Sequence, residues 1–577
     1  MAKVIYRNIP DSQGNNAYQQ DPDFARLLSV YLPAELRDHL EPVFQELGAL
    51  TGDELERLAR EADRNPPTLR FRNRDGSDAQ VVEKHPSYQR LEYYAFSRFG
   101  LAAMSHRGNV LGWPEVMPPL VKYGLTYLFV QAEFGLCCPL SMTDALTRTL
   151  RKFGDEALIN RFIDDLTSQD EDSLFQGAMF MTEQDAGSDV GAITTEARFE
   201  DGVWRLYGDK WFCSNADADL AMVLARPSGG DGGTKGLTLF LLPRRLPDGT
   251  LNRYRLIRLK DKLGTRSMAS GEIVLEGAEA YVVGEPGNGF KQMTDMINMS
   301  RLSNGVRSAG MMRRSVNEAL FIARNRVAFG RKLIDLPLLK RQLVKMMVTA
   351  EQGRSMVFHT AECLRRADQG DAVAAKLLRI LTPLIKFRTT RDARKVAADG
   401  MEVRGGCGYI EEWSDARVLR DAHLGSIWEG TSNIVALDVF RAIRREQTLP
   451  VLSEHLQQLL SESALSDSER QRFEAVLKQV TAAAEQVAGD NTLEADARRI
   501  ASALYNFTSA VVLAWEAARI ARIGDDLRRL ALAKLVLSHK LLPRDPLKPE
   551  AGDGAWLAAL LAETPLSRDQ VDAVWEE

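Results

Sequence analysis

The sequence predicts an α+β chain of several domains, helical at both ends with a β domain between them. Two observations carry this. Apolar residues recur at helical spacing before about residue 175 and again from about 290, whereas short, strand-like apolar runs fill about 176–285. At 577 residues the chain is too long for one compact core, which suggests roughly three or four domains or subdomains. The expected division is an N-terminal helical domain (1–175), an antiparallel β-barrel domain (176–289), a C-terminal helix bundle (290–445) and an additional helical domain (446–577).

Each element has a local reason. Ala34 through Leu58 carries apolar residues at helical spacing, with a break expected near Gly52. Proline and glycine near 65–76 and 110–118 mark loops. Leu120 to Phe134 is nearly all apolar and should cross a core. Val203-Trp204-Arg205-Leu206-Tyr207-Gly208 alternates as a strand does, and further short runs lie at Leu220–Leu224, Leu237–Leu242 and Glu272–Leu275. Glu285-Pro286-Gly287-Asn288-Gly289 is a turn that ends the β region. Pro337 can open a helix whose apolar positions include Leu338, Leu339, Leu343 and Met346. Ala497 to Leu542 reads as amphipathic helix, broken at Gly524-Asp525.

Composition excludes several classes. With 45% hydrophobic and 27% charged residues the chain reads as globular and soluble. A net charge of −5 gives no global pull toward nucleic acid or anionic membrane. No apolar run approaches the ~20 residues of a membrane span, and Met1-Ala2-Lys3-Val4-Ile5-Tyr6-Arg7 lacks the apolar segment of a signal peptide. The five cysteines (Cys137, Cys138, Cys213, Cys363, Cys407) match no zinc or disulfide framework, and reduced thiols in a cytoplasm are the simplest account. The seven histidines form no His-Glu-x-x-His pattern, so no catalytic metal is expected.

Two motifs carry chemistry. Ser426-Ile427-Trp428-Glu429-Gly430-Thr431-Ser432-Asn433 sets one carboxylate between an aromatic residue and a Gly-Thr turn. A carboxylate held dry there becomes a usable base near neutral pH; an ordinary glutamate at a turn is the alternative. Upstream, Met181-Thr182-Glu183-Gln184-Asp185-Ala186-Gly187-Ser188-Asp189-Val190 combines small residues with hydroxyls. Such a loop can cradle a phosphate or a flavin edge, or be simply a capped turn. No Walker A sequence and no strand–GxGxxG–helix unit is present.

Taken in order, the helices, the Thr-Glu-x-x-Ala-Gly-Ser-Asp loop, Lys210-Trp211-Phe212-Cys213-Ser214-Asn215, Arg326-Val327-Ala328-Phe329-Gly330, Gly405-Gly406-Cys407-Gly408-Tyr409 and Trp428-Glu429-Gly430-Thr431 resemble the acyl-CoA dehydrogenase superfamily over roughly 80–445. Asn65-Pro66-Pro67, His85-Pro86-Ser87-Tyr88, Met401-Glu402-Val403 and Ser426–Gly430 make it most similar to the AidB-like, alkylation-response branch.

The resemblance implies a non-covalent FAD, with Glu429 as the proton-abstracting base of an α,β-dehydrogenation. It implies cofactor contacts from Met179, Met181, Thr182, Gly187 and Ser188 along the flavin, from Phe212 stacked beside it and from Ser214 near N5. Core packing in the barrel is the alternative for Phe212. Arg326 and Phe329 would grip the FAD of a neighbouring subunit, an arginine fork suiting a diphosphate; a surface ion pair is the alternative for Arg326. Glu402, Gly405 and Gly406 would approach the adenosine half, and Thr431 and Asn433 the ADP part. Ser188, Arg301, Trp428 and Gly430 are the implied substrate contacts. Some relatives carry the base just before an arginine on an earlier helix; here that residue is Ser300, which leaves the role to Glu429.

The implied partners are an acyl-CoA, an electron-transfer flavoprotein as acceptor, and further copies of the chain in a dimer or tetramer. The AidB-like branch also implies a DNA-binding or protective role with weak dehydrogenase activity. That role needs a basic C-terminal region, but residues 446–577 hold 14 Lys/Arg against 21 Asp/Glu, a net of 14 − 21 = −7. Arg519, Arg522, Arg528 and Arg529 cluster in sequence, and a solvated helix face balanced by Asp525 and Asp526 is the expected reading. A nitroalkane-type flavin oxidase would carry aspartate where Glu429 stands.

Overall fold

The computed structural model describes residues 9–545, 547 and 555–575; the N-terminal heptapeptide Met1–Arg7 lies outside them. In chain order, helices α1 (Pro22–Tyr31), α2 (Ala34–Gly52) and α3 (Glu54–Arg64) precede a hairpin of β1 (Thr68–Arg72) and β2 (Asp78–Glu83). Helices α4 (Pro86–Glu92), α5 (Pro119–Phe129), α6 (Cys137–Phe153) and α7 (Glu156–Leu166) follow. The β region holds β3 (Gly177–Phe180), β4 (Glu196–Glu200), β5 (Val203–Ser214), β6 (Leu220–Pro227), β7 (Thr238–Pro243), β8 (Tyr254–Leu259) and β9 (Ser270–Val282). Helix α8 (Gly289–Asn325) then leads to a short hairpin, β10 (Val327–Ala328) and β11 (Arg331–Lys332). The remaining helices are α9 (Pro337–Asp368), α10 (Ala372–Arg404), α11 (Gly406–Tyr409), α12 (Asp415–Leu424), α13 (Ser432–Glu446), α14 (Thr448–Ser461), α15 (Asp467–Gly489), α16 (Ala497–Gly524), α17 (Arg528–Lys540), α18 (Ala555–Ala562) and α19 (Arg568–Asp572). No helix among the described residues is long and apolar enough to cross a membrane. By compactness the chain divides into a unit of residues 54–303 and a unit of residues 1–53 with 304–577.

In the 54–303 unit, β6, β4, β5, β9 and β7 pair in that order and β7 pairs back to β6, so the strands close a ring. Most pairings are antiparallel, but β6 runs parallel to both β3 and β4, which long crossovers allow. The β4–β5 hairpin turns at Asp201-Gly202, both at positive φ (52° and 82°), as a two-residue turn matching strand twist requires. Alternate residues point inward: Leu206, Cys213, Val223, Phe240, Leu256, Ile273 and Leu275 fill the ring. Leu120–Phe134 is buried throughout, as its apolar run implies.

One expectation fails here. The Pro/Gly-rich stretch near 65–76 is not simply a loop, because it contains β1 and enters the β1–β2 hairpin. Gly76 at φ +88° lets Asn73 N–H reach Ser77 O at 2.8 Å. The hairpin is pinned to the barrel, with Gln80 Oε1 accepting from Leu256 N–H at 2.7 Å and Val82 joining the core.

The other unit is helical. Gly52 ends α2 and Gly524 ends α16, as the sequence suggests. Leu343 and Met346 of α9 are buried, but Leu338 is 86% exposed, because the first turn of α9 extends beyond the bundle core.

The largest departure concerns Arg528 and Arg529. They form neither a basic patch nor a solvated face; both are fully buried. Arg529 donates to Glu516 (2.8 Å) and Glu351 (3.1 Å) and pairs with Asp23, and Arg528 pairs with Asp23 at 3.3 Å. Arg354 meets Asp21 and Asp23 at 2.7 Å, and Arg313 grips Glu563 at 2.7 and 2.8 Å. Burial alone would push the Asp23 carboxyl up, but the surrounding guanidiniums hold it well below the ordinary carboxylate range. Buried charges persist only when paired and hydrogen-bonded, and this network supplies both.

Candidate active site

Helix α12 ends at Leu424, and Gly425 to Thr431 form the connection to α13. Ile427 and Trp428 N–H both bond back to Leu424 O (2.9 and 3.2 Å), so the chain turns sharply before Glu429. Glu429 then adopts φ +51° and Gly430 φ +104°. A left-handed glutamate costs of order 1–3 kcal/mol and persists only where its surroundings impose it.

Those surroundings come from α8 and α10. Asn304, fully buried, donates its side-chain N–H to Glu429 Oε2 at 3.1 Å and to Gly425 O at 3.2 Å. Lys386, buried on α10, donates to Gly430 O at 2.6 Å. Buried Arg307 lies 5.3 Å from the Trp428 ring centroid. A Cβ at Gly425 would meet Ser308 Oγ at 3.2 Å and Thr390 Cβ at 3.3 Å, so glycine lets the loop approach both helices. The Glu429 side chain itself is half-buried.

At the start of α13, Thr431 is the N-cap residue but makes no side-chain cap bond. Arg391 reaches Ser432 Oγ and Arg498 reaches Asn433 Oδ1, each at 3.4 Å. Arg498 belongs to α16, in the additional C-terminal region. Burial and then repulsion from Arg498, Arg394 and Arg388 lower the Arg391 guanidinium.

In the same unit, Arg326 is exposed, donates to Arg404 O at 3.3 Å and makes no ion pair among the described residues, against the surface-pair alternative. Phe329 and Gly330 form the β10–β11 turn at φ +53° and +77°, and the Phe329 ring is 90% exposed. Glu402 and Gly406 are exposed, Glu402 accepting from Gln342 at 3.3 Å, and Gly405 at φ +76° ends α10.

In the barrel unit, the loop after β3 is braced by Glu183. Its carboxylate accepts from Thr194 N–H (2.7 Å) and Oγ1 (2.8 Å), from Thr195 N–H (3.1 Å) and Oγ1 (2.5 Å), and from buried Lys210 (2.7 Å). Burial would raise this carboxyl, but Lys210 and the threonine donors hold it at about 2. Trp211 N–H donates to Thr182 O at 2.8 Å, which joins the loop to β5. Met179, Met181, Thr182 and Ser214 are half-buried, whereas Gly187 and Ser188 are exposed at the loop tip. Phe212 is 54% exposed, with Lys260 Nζ 4.8 Å from its ring centroid. This removes the core-packing reading of Phe212. Arg301, on the part of α8 in this unit, is half-buried and lies 3.4 Å from Asn298 Oδ1.

Residues 178–278 match the model described as acyl-CoA dehydrogenase, middle domain, and 287–444 that of acyl-CoA dehydrogenase, C-terminal domain; residues 8–173 match the adaptive response protein AidB N-terminal domain. The chain belongs to the acyl-CoA dehydrogenase family. Within that family it lies in the AidB-like branch: it is 35% identical to the putative acyl-CoA dehydrogenase AidB of Escherichia coli over 422 residues, covering 71% of this chain and 74% of AidB. It is 31% identical to acyl-CoA dehydrogenase family member 11 of Caenorhabditis elegans, over 86% of this chain and 84% of that one. The crystal structure of C. elegans ACDH-11 in complex with C11-CoA superposes with a TM-score of 0.86 at 28% identity, covering 94% and 95% of the two chains.

Sequence reasoning did not find Asn304, Lys386, Arg307, Arg391 or Arg498 within this family frame. Each lies far from the motif it touches: Asn304 is 125 residues from Glu429. Glu183 was visible inside its loop, but its buried partner Lys210 gave no signal beyond its place in the Lys-Trp-Phe-Cys motif.

Proposed function

We propose that this chain is an FAD-dependent acyl-CoA dehydrogenase that forms the α,β double bond of an acyl-CoA thioester, with Glu429 as base. The observation that carries the proposal is the Glu429 carboxylate, fixed by Asn304 on a strained loop that Lys386 anchors one residue later.

The residues fit the cofactor chemically. An exposed Arg326 fork with no carboxylate partner among the described residues suits a diphosphate. An exposed aromatic ring at Phe212 suits an isoalloxazine face, and Thr182, Ser188 and Ser214 supply hydroxyls. Met179, Met181, Gly187, Glu402, Gly405, Gly406, Thr431 and Asn433 complete the proposed cofactor contacts, with Phe329 reaching a second subunit. A bound flavin supplies the acceptor for the β hydrogen, which leaves with its electron pair.

Glu429 takes the α proton, and the electron pair of that C–H bond becomes the new C=C bond. The thioester α proton is only weakly acidic, so charge building on its carbonyl oxygen needs donors; the Glu429 backbone N–H is the proposed one, worth about 2.7–4 kcal/mol. Ser188, Arg301, Trp428 and Gly430 are the proposed substrate contacts. An acyl chain filling the site would exclude water and strengthen Glu429 as a base. We further propose an electron-transfer flavoprotein as acceptor and a dimer or tetramer as the working assembly.

The AidB-like alternative is a protective flavoprotein that contacts DNA. The membership in that branch favours it; the net charge of −7 on 446–577 and the burial of Arg528 and Arg529 disfavour it. Anaerobic titration with acyl-CoAs of graded length, including C11-CoA, tests the main proposal, with bleaching by at least one chain length expected. If no thioester bleaches the flavin while duplex DNA binds tightly at physiological salt, the alternative replaces it.

A further inference from the structure

Three arginines gather at the start of α13, and none has a counter-ion among the described residues. Arg391 and Arg394 stand three residues apart on α10, so they share one side of that helix. Arg498 reaches in from α16, in the additional C-terminal region. Arg391 donates to Ser432 Oγ and Arg498 to Asn433 Oδ1, each at 3.4 Å, so the two guanidiniums meet neighbouring residues. Arg394 Nε is buried without a hydrogen-bond partner among the described residues.

The carboxylates nearest in sequence are engaged elsewhere. Asp392 pairs with Arg388 at 2.7 Å, and Asp496 with Arg499 at 3.0 Å. His423, at the end of α12, brings no negative charge; burial and then Arg394 push its imidazole down. Like charges held together without counter-ions cost folding free energy, and such a cluster fits an anionic ligand. Contacts of 3.4 Å are long for hydrogen bonds, so Arg391 and Arg498 grip Ser432 and Asn433 only loosely. Guanidinium forks match phosphate oxygens in pairs. Three forks from two helices offer more donors than one carboxylate can accept, whereas a diphosphate presents several charged oxygens in a row.

We propose that Arg391, Arg394 and Arg498 form a diphosphate seat, completed by α16 through Arg498. The additional C-terminal region is then part of a ligand site as well as of the core. FAD and CoA each carry a diphosphate. The choice between them rests on the proposed function; the seat itself does not.

The test uses the full-length protein and the variants Arg391→Gln, Arg498→Ala and Arg498→Lys, with Arg499→Ala as a control for loss of charge alone. Arg499 is exposed, next in sequence and paired with Asp496. Three quantities are read: the dissociation constant of FAD, that of CoA with FAD kept saturating, and the rise in melting temperature that inorganic diphosphate gives the flavin-free chain. Circular dichroism checks that each variant is folded; Arg498 is exposed, so its loss should leave the core intact.

Arg391→Gln and Arg498→Ala should each weaken FAD or CoA by about tenfold or more and abolish the stabilisation by diphosphate. Arg498→Lys, which keeps the charge without the fork, should lose less, and Arg499→Ala should bind as wild type. Weaker FAD alone assigns the seat to the cofactor, and weaker CoA alone assigns it to the thioester. If the wild type binds neither, yet diphosphate stabilises it only with the arginines intact, the proposed function fails and the seat stands. If the Arg391 and Arg498 variants keep wild-type values for all three quantities, the seat is wrong. If they lose affinity only for duplex DNA, the arginines serve a nucleic acid and the proposal is also overturned.

Discussion

Arg529 forms a buried ion pair with Asp23, 506 residues earlier in the chain. Through Glu351 and Glu516, the same guanidinium ties α9 and α16 to the residues at the start of α1. The additional C-terminal region is therefore part of the core of its unit.

Replacing Arg529 by Met should be strongly destabilising. It leaves Asp23 and Glu516 with less positive charge in a dry interior, and breaking one side of such a buried network costs about 3–5 kcal/mol. Differential scanning calorimetry should show the melting transition of the helical unit moving down. An unchanged transition would mean that the network contributes little.

Glu183 gives a pH prediction with a definite sign. Its folded-state carboxyl is held at about 2, below its ordinary 4.5. A depressed carboxyl contributes stability that is complete above the ordinary value and is lost as pH falls through the folded one. Glu183→Gln should therefore melt lower than wild type at neutral pH, and the gap should close between about pH 4.5 and 2. A gap that stays constant across that window would contradict the ion pair with Lys210.

Phe329 should matter for assembly rather than folding. Its ring is 90% exposed on a turn at positive φ, and Val327 beside it is 62% exposed. Phe329→Asp should change the stability of the single chain by no more than about 0.5 kcal/mol, as surface substitutions do. Sedimentation velocity should nevertheless show a smaller species with weaker FAD retention. An unaltered assembly would remove Phe329 from the proposed subunit contact.

The sequence made much of this architecture legible, for identifiable reasons. The barrel strands declare themselves by alternation, as in Val203–Gly208, and helix ends by glycine, as at Gly52 and Gly524. Glu429 stood out because an aromatic residue and a Gly-Thr turn flank it. What stayed hidden was set by long-range contact. Arg528 and Arg529 read as solvent-facing because arginine is rarely buried; their counterions lie on other helices. The β1–β2 hairpin escaped notice because its strands are charged and it is pinned by a bond to β8, 176 residues on. Asn304 is one polar residue in a long helix, and nothing local distinguishes it from a solvated amide.

The most direct measurement is anaerobic flavin bleaching by acyl-CoA in wild type and in Glu429→Gln, each checked for FAD content. The wild type should bleach with at least one chain length, and the variant should keep its FAD while bleaching at least about 10²–10⁴-fold more slowly, the range general-base catalysis contributes. Bleaching at equal rates would contradict the assignment of Glu429 as the base.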